Sequence, residues 1–192
     1  MKVEIRLLSD AIFGNGTSIP GAEDIGLLCD GYGFPYYKGS TFKGLFREEY
    51  ENYLYVCGKT DDEICIEVND LFGEGGADND SKRKLTFTDF ELSGKVREAV
   101  LYETEAKAPE RITEMFTHMR TFTKIDDDGM VQDGSLRKAR CIDKGLCFYG
   151  DVKCAEEDSE LLTEALGFIR FIGSMRNRGF GHVQVSVVKE VH

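Results

Sequence analysis

The chain has few histidines, no C-x-x-C pair, no long apolar run and no excess of positive charge. His118, His182 and His192 are the three histidines of 192 residues, too scattered to be read as a catalytic triad or a zinc set. The six cysteines, Cys29, Cys57, Cys65, Cys141, Cys147 and Cys154, have the wrong spacing for an ordinary zinc site and are read as free thiols. Cys57 and Cys65 stay open as a metal-binding pair completed by a distant third ligand. No apolar run approaches the ~20 residues needed to cross a bilayer. The N-terminal alternation Met-Lys-Val-Glu-Ile-Arg reads as a strand rather than a signal peptide, so the expected location is the cytoplasm, with no membrane partner. A formal net charge of −11 argues against general affinity for nucleic acid.

The distribution of charge says more than its sum. Residues 31–47, 115–125, 134–142 and 165–188 contain no Asp or Glu, yet they carry Lys38, Lys43, Arg47, Arg120, Lys124, Arg137, Lys138, Arg140, Arg170, Arg176 and Arg178. Those are eleven of the 24 basic residues. If these windows meet in space, one positive face forms on an acidic protein; the plainer alternative is that they are core strands and their turns.

The periodicity predicts a strand over 2–8, a glycine-rich loop over 11–33, an amphipathic helix over 41–56 and a strand over 85–92. Residues 58–82 are polar and glycine-rich, and 95–118 read as a charged, partly ordered insertion. A short strand follows at 119–125, then a turn at Asp126-Asp127-Asp128-Gly129 and a strand over 145–154. Ser159 is expected to cap a helix over 160–173, followed by a glycine-rich loop and a closing strand over 182–188. Strand, helix, strand, strand, helix, strand is the order of an α+β, ferredoxin-like (βαββαβ, RRM-like) core with loop and hairpin insertions. The expected organisation is one domain over 1–192, with insertions around 58–82 and 95–118.

Residues 33–47 read as a turn entering a helix. Ser40 or Thr41 is the candidate cap, Gly39 permits close approach of a ligand, and Lys43 and Arg47 share one face a turn apart. A helix N-terminus with free N–H groups and two cations suits a phosphate chain. In 173–182, Arg176 and Arg178 supply charge, Gly179 permits a tight turn and Phe180 is a candidate to stack on a base; a purely structural turn is the alternative. Arg120, Lys124 and Arg137 flank the acidic turn, as a hairpin facing a ligand or as a surface hairpin with salt bridges. Asp24, beside Glu23, is a loop carboxylate suited either to Mg²⁺ and activation of a ribose 2′-OH or to capping a turn.

Taken in order, these pieces resemble the RAMP superfamily of CRISPR proteins. Asp30-Gly-Tyr-Gly-Phe-Pro-Tyr-Tyr-Lys-Gly-Ser-Thr-Phe-Lys-Gly-Leu-Phe-Arg47 is similar to the family's D-x-x-G-x-P-x-I-P-G-S-S-L-K-G-x-x-R run, with Tyr37-Lys38 in place of Ile-Pro and Thr41 in place of Ser. Leu71-Phe72-Gly73 is similar to its L-F-G. The stretch from Arg120 to Arg137 is similar to its R-T-x-I-D-x-x-T-G segment, with Asp128-Gly129 where that segment has T-G. Residues 173–181 are similar to its C-terminal glycine-rich loop. Within the superfamily the resemblance is to single-domain backbone subunits of type III effector complexes. It implies binding of guide RNA (crRNA) through Lys43 and Arg47, helped by Ser40, Arg120 and the loop around Arg176, Arg178 and Gly179, and the candidates Lys124, Arg137 and Phe180 read from the residues above join them as expected RNA contacts. It also implies target RNA and other effector subunits as partners, and a homo-oligomeric filament along the guide. A hairpin wedge into the guide–target duplex is expected at 95–118. Cleavage of target RNA with Mg²⁺ or another divalent metal is implied at Asp24, with no organic cofactor. The alternatives are a CRISPR precursor-RNA processing endoribonuclease and an interaction subunit that does not touch RNA.

Overall fold

The computed structural model describes residues 1–18, 25–74, 83–103, 108–123 and 136–188. Strand β1 (Lys2–Leu7) alternates as the sequence predicts, with Val3, Ile5 and Leu7 buried. It lies between β6 (Cys147–Lys153) and β7 (Val183–Val188), antiparallel to both. The far side of β6 is occupied by two short pieces, β2 (Thr86–Phe87) and β3 (Glu91–Leu92), giving the order β2-β6-β1-β7 with β3 also on β6.

The expected strand over 85–92 is therefore broken, and the break has a cause. Thr88 stays tied to Asp151 by two bonds of 3.0 and 2.8 Å. Phe90 instead exchanges backbone bonds of 2.9 and 2.8 Å with Tyr37. Its ring sits over Gly150, where a Cβ would lie 2.8 Å from it. The turn seats Phe90 against Phe42, with ring centroids 4.5 Å apart.

Helix α1 (Gly39–Val56) covers the buried face of the sheet with Phe42, Phe46, Tyr50, Tyr53 and Leu54. The expected cap by Ser40 or Thr41 does not form. Lys38 is the N-cap and makes no side-chain cap bond, and the Gly39 N–H donates to the Asp89 carboxylate at 2.7 Å. A carboxylate is favourable there because the first turn presents unpaired N–H groups and the positive end of the helix dipole. Gly39 itself admits a backbone, not a ligand: a Cβ would lie 2.4 Å from the Thr88 carbonyl oxygen.

Residues 61–72, left unassigned as polar sequence, form helix α2 (Asp61–Phe72). Thr60 and Glu63 make a reciprocal capping box, and Val68, Leu71 and Phe72 join the main core. Arg83 fastens α2 to the turn before the last helix. Its guanidinium reaches Glu67 at 2.8 Å, Asp70 at 3.1 Å and the buried Asp158.

Among the described residues of the expected hairpin insertion at 95–118, two helices form instead, and Thr117 and His118 already belong to the strand that follows. Helix α3 (Gly94–Glu103) is rich in good helix formers and is held through Arg97, which pairs with Asp30 at 2.6 Å and lies 4.5 Å over Phe34. Helix α4 (Pro109–Met115) starts with proline in its first turn, where the missing N–H costs nothing. The hairpin that does form is β4 (Thr117–Phe122) with β5 (Arg137–Ile142), a separate two-stranded sheet. The acidic turn at 126–129 lies outside the described residues.

Ser159 falls inside α5 (Ser159–Leu166) instead of capping it. The N-cap is Asp158, whose carboxylate is engaged by Arg83. The helix stops at Leu166 rather than 173 because the chain turns out to run beside β7. The Val183 N–H donates to the Arg170 carbonyl, and Phe171 bridges to His182. None of the described helices is long and apolar enough to cross a membrane.

Candidate nucleic-acid interface

The loop after α5 is shaped by backbone constraints that aim Arg176 outward. Gly173 has φ +76, and a Cβ there would lie 2.5 Å from the Ile12 carbonyl oxygen. Met175 has φ +58, the one positive value among the described non-glycine residues. That conformation costs of order 1–3 kcal/mol and persists only where surrounding packing fixes it. Here Met175 packs against a small second core of Ile12, Ala139, Cys141 and Phe180. Arg176–Arg178 then form a single 3₁₀ turn on the surface.

This loop faces one flank of α1. Between them lies a cavity of about 390 Å³ whose lining includes Lys38, Thr41, Gly44, Glu48, Ser174 and Arg176. Thr41, Gly44 and Glu48 follow the three- and four-residue spacing of one helix face. Lys38 and Arg176 are exposed, and neither pairs with a carboxylate among the described residues. Tyr37 forms part of the wall, its hydroxyl pushed up by burial against the opposing effects of a Gly173 backbone hydrogen bond and the Arg176 charge. The result is a groove with two cations, three hydroxyl-bearing residues and one acid, Glu48. It can hold an anionic strand that keeps away from the Glu48 end.

Of the residues singled out from sequence, Arg176 lines this groove, and Ser40 is exposed in the first turn of α1. Arg178 is exposed in the same 3₁₀ turn, and Gly179 ends it with φ +82 and open space around its Cα. Arg120 is half-exposed, 3.4 Å from Asp10 and 5.2 Å over the Phe180 ring. Arg137 is exposed on the hairpin opposite Phe122. Asp24 and Lys124 lie outside the described residues.

Two expectations need correction. Phe180 is 5% exposed and packs edge-on against Phe122 at 5.6 Å. It supports the loop from beneath and has no free face for a base. Arg47 and Lys43 do share a face, but on the opposite flank of α1 from the groove. Arg47 donates to the Gly73 carbonyl at 2.8 Å, to Asn69 at 3.0 Å and to Glu51 at 3.2 Å, closing the C-terminal end of α2. Lys43 stands near Lys84 and Arg47, its ammonium pushed down first by burial and then by those two positive charges. Arg47→Ala is therefore expected to lower folding stability by about 1.5–3 kcal/mol, the range for hydrogen bonds to a charged group, as read by chemical denaturation.

The reading from sequence counted Lys38 among the acid-free cations and Thr41 as a candidate cap, but assigned neither of them, nor Ser174, to the binding site. Thr41 was recoverable from the face it shares with Gly44 and Glu48, whereas Lys38 and Ser174 become neighbours of Arg176 only once the loop folds back on α1.

None of the six cysteines forms a disulfide, and burial pushes the Cys141 thiol up to about 11. Among the described residues, Asp10, His118 and Asp143 come together as potential metal ligands. Asp30, the described acid that follows Asp24 in the loop, is committed: it accepts the Tyr32 and Phe34 N–H groups and pairs with Arg97.

The RAMP superfamily model matches residues 4–184. The chain belongs to the RAMP superfamily. Among solved structures, this RAMP protein is similar to a chain of the type III-B Cmr-β complex bound to cognate target RNA, with a TM-score of 0.67 and 14% identity over 96% of this chain and 95% of that one. It is also similar to a chain of Cmr-β in the apo state, with a TM-score of 0.70 and 14% identity over 100% and 98% of the two chains. At that identity the likeness is one of fold. No curated protein matches the sequence.

Proposed function

We propose that this RAMP protein is a subunit of a type III CRISPR ribonucleoprotein effector complex and holds guide RNA by its backbone. The observation that carries this is the groove in which Lys38, Thr41, Ser174 and Arg176 converge between α1 and the glycine-rich loop. Cations and hydroxyls grip phosphate and ribose without reading bases, as a protein accepting any guide sequence requires. The strand order β2-β6-β1-β7, with α1 and α5 between strands of that sheet in the chain, supports reading the core as ferredoxin-like. Arg178, Arg120 and Arg137 extend the positive surface from the groove towards the hairpin. Target RNA, other effector subunits and further copies along the guide are the partners in this reading. The likeness in fold to a chain of a type III-B complex bound to target RNA supports it.

The test is a filter-binding titration of single-stranded RNA at increasing salt. Affinity should fall steeply, with a log–log slope near −0.7 for each phosphate held. A slope of zero would favour the interaction-subunit reading, to which the net charge of −11 and the Asp89 carboxylate at the start of α1 lend weight. Cleavage is a finer part of the proposal and rests on Asp24, so Asp24→Ala is expected to end metal-dependent cutting of target RNA while leaving binding intact. Undiminished cutting by that variant removes Asp24 from the chemistry.

A further inference from the structure

At the base of the hairpin an imidazole stands between two carboxylates. The Ala11 and Ile142 backbones exchange bonds of 3.0 and 2.7 Å, which brings the end of β1 beside the end of β5. Asp10 and Asp143 are thereby set on either side of His118 on β4. His118 Nδ1 is 2.5 Å from Asp143 Oδ1, and His118 Nε2 is 3.5 Å from Asp10 Oδ2. The Lys144 N–H donates to the other Asp10 oxygen at 3.2 Å, and the Arg120 guanidinium is 3.4 Å from Oδ2.

A neutral imidazole has one N–H. With that proton on Nδ1, facing Asp143, the Nε2 lone pair confronts the Asp10 carboxylate. Something positive belongs between them, either a proton or a metal ion. A charge-assisted N–H···O bond spans about 2.7–2.9 Å, well short of the 3.5 Å found here. Two ligands on one tetrahedral zinc, with bonds of about 2.0–2.2 Å, stand about 3.4 Å apart. A carboxylate behind the other ring nitrogen is also how metal-binding histidines are usually oriented.

We infer that His118 Nε2 and Asp10 Oδ2 form a zinc site, with Asp143 orienting the imidazole and the remaining positions open to water. It would staple the hairpin to the end of β1. Arg120, half-exposed at 50% and resting on Phe180, competes with the metal for Asp10.

The experiment is an NMR titration of the RNA-free protein with Zn²⁺ alone, following the ring signals of His118 as assigned by their loss in His118→Ala. The signals should shift saturably. Asp143→Asn should weaken binding by about 10-fold or more, and Arg120→Gln should strengthen it by removing the competing cation. His118 signals unmoved by Zn²⁺ in the wild type, or weaker binding in Arg120→Gln, overturn the site. Because no RNA is present, either outcome is independent of the guide-binding reading.

Discussion

Lys38→Glu combined with Arg176→Glu is expected to weaken binding of single-stranded guide RNA by about 100-fold. Each of these side chains, exposed on the groove wall, can make a charge-assisted hydrogen bond to phosphate. Such bonds contribute about 1.5–3 kcal/mol, so losing two of them removes at least tenfold each. Reversal also sets two carboxylates beside Glu48, turning the groove repulsive. The salt dependence should flatten, the slope shrinking by about 1.4 for two lost contacts on a single strand. Both side chains are exposed and pair with no carboxylate among the described residues, and their bonds within the fold are backbone ones that substitution keeps, so the double variant should melt close to the wild type. A filter-binding series across salt reads both quantities, and unchanged affinity in the double variant would remove the groove from the account.

Gly181→Ala is expected to destabilise the fold by about 3 kcal/mol, whereas Gly179→Ala should cost about 1 kcal/mol. Both glycines have positive φ, +71 and +82, so both substitutions carry the left-handed penalty. They differ in surroundings. A Cβ on Gly181 would stand 1.8 Å from the Ile172 carbonyl oxygen, while nothing lies within 4 Å of one on Gly179. Relieving the clash at 181 pulls on two backbone bonds, Gly181 N–H to Asp10 at 2.7 Å and Ile172 N–H to Gly181 at 2.9 Å. The first fastens the glycine-rich loop to the segment that follows β1, and the second closes the loop on itself. For a chain of this size the larger loss corresponds to a Tm lower by roughly 6–12 °C, measurable by calorimetry. Equal small losses at both positions would contradict the packing described for the loop.

The same contrast shows what can be read from a sequence of this kind. Alternation in β1, β6 and β7 and the aromatic spacing of α1 survive folding unchanged, because each buries one face against one core. Helix α2 escaped notice because acids and glycines surround it, although Thr60 and Glu63 already spelled out its capping box. The start of α1 was misjudged because its amide partner, Asp89, lies fifty residues away and arrives only through the broken edge strand. Arg47 looked like a ligand-binding cation because its spacing from Lys43 is correct for a shared face. Spacing does not say which flank that face adopts, and α2 takes it. Phe180, between two glycines, looked exposed, but the hairpin covers it. Arg176 was legible as an exposed cation because the stretch around it, 165–188, contains no Asp or Glu to pair with it locally.

The central claim is that RNA lies between α1 and the glycine-rich loop. Photocrosslinking with 4-thiouridine-substituted single-stranded RNA, followed by peptide mapping, tests it most directly. Crosslinks are predicted within 38–48 and 173–178. Crosslinks confined to the outward face of the sheet, around Lys2, Tyr149 and Gln184, would contradict it.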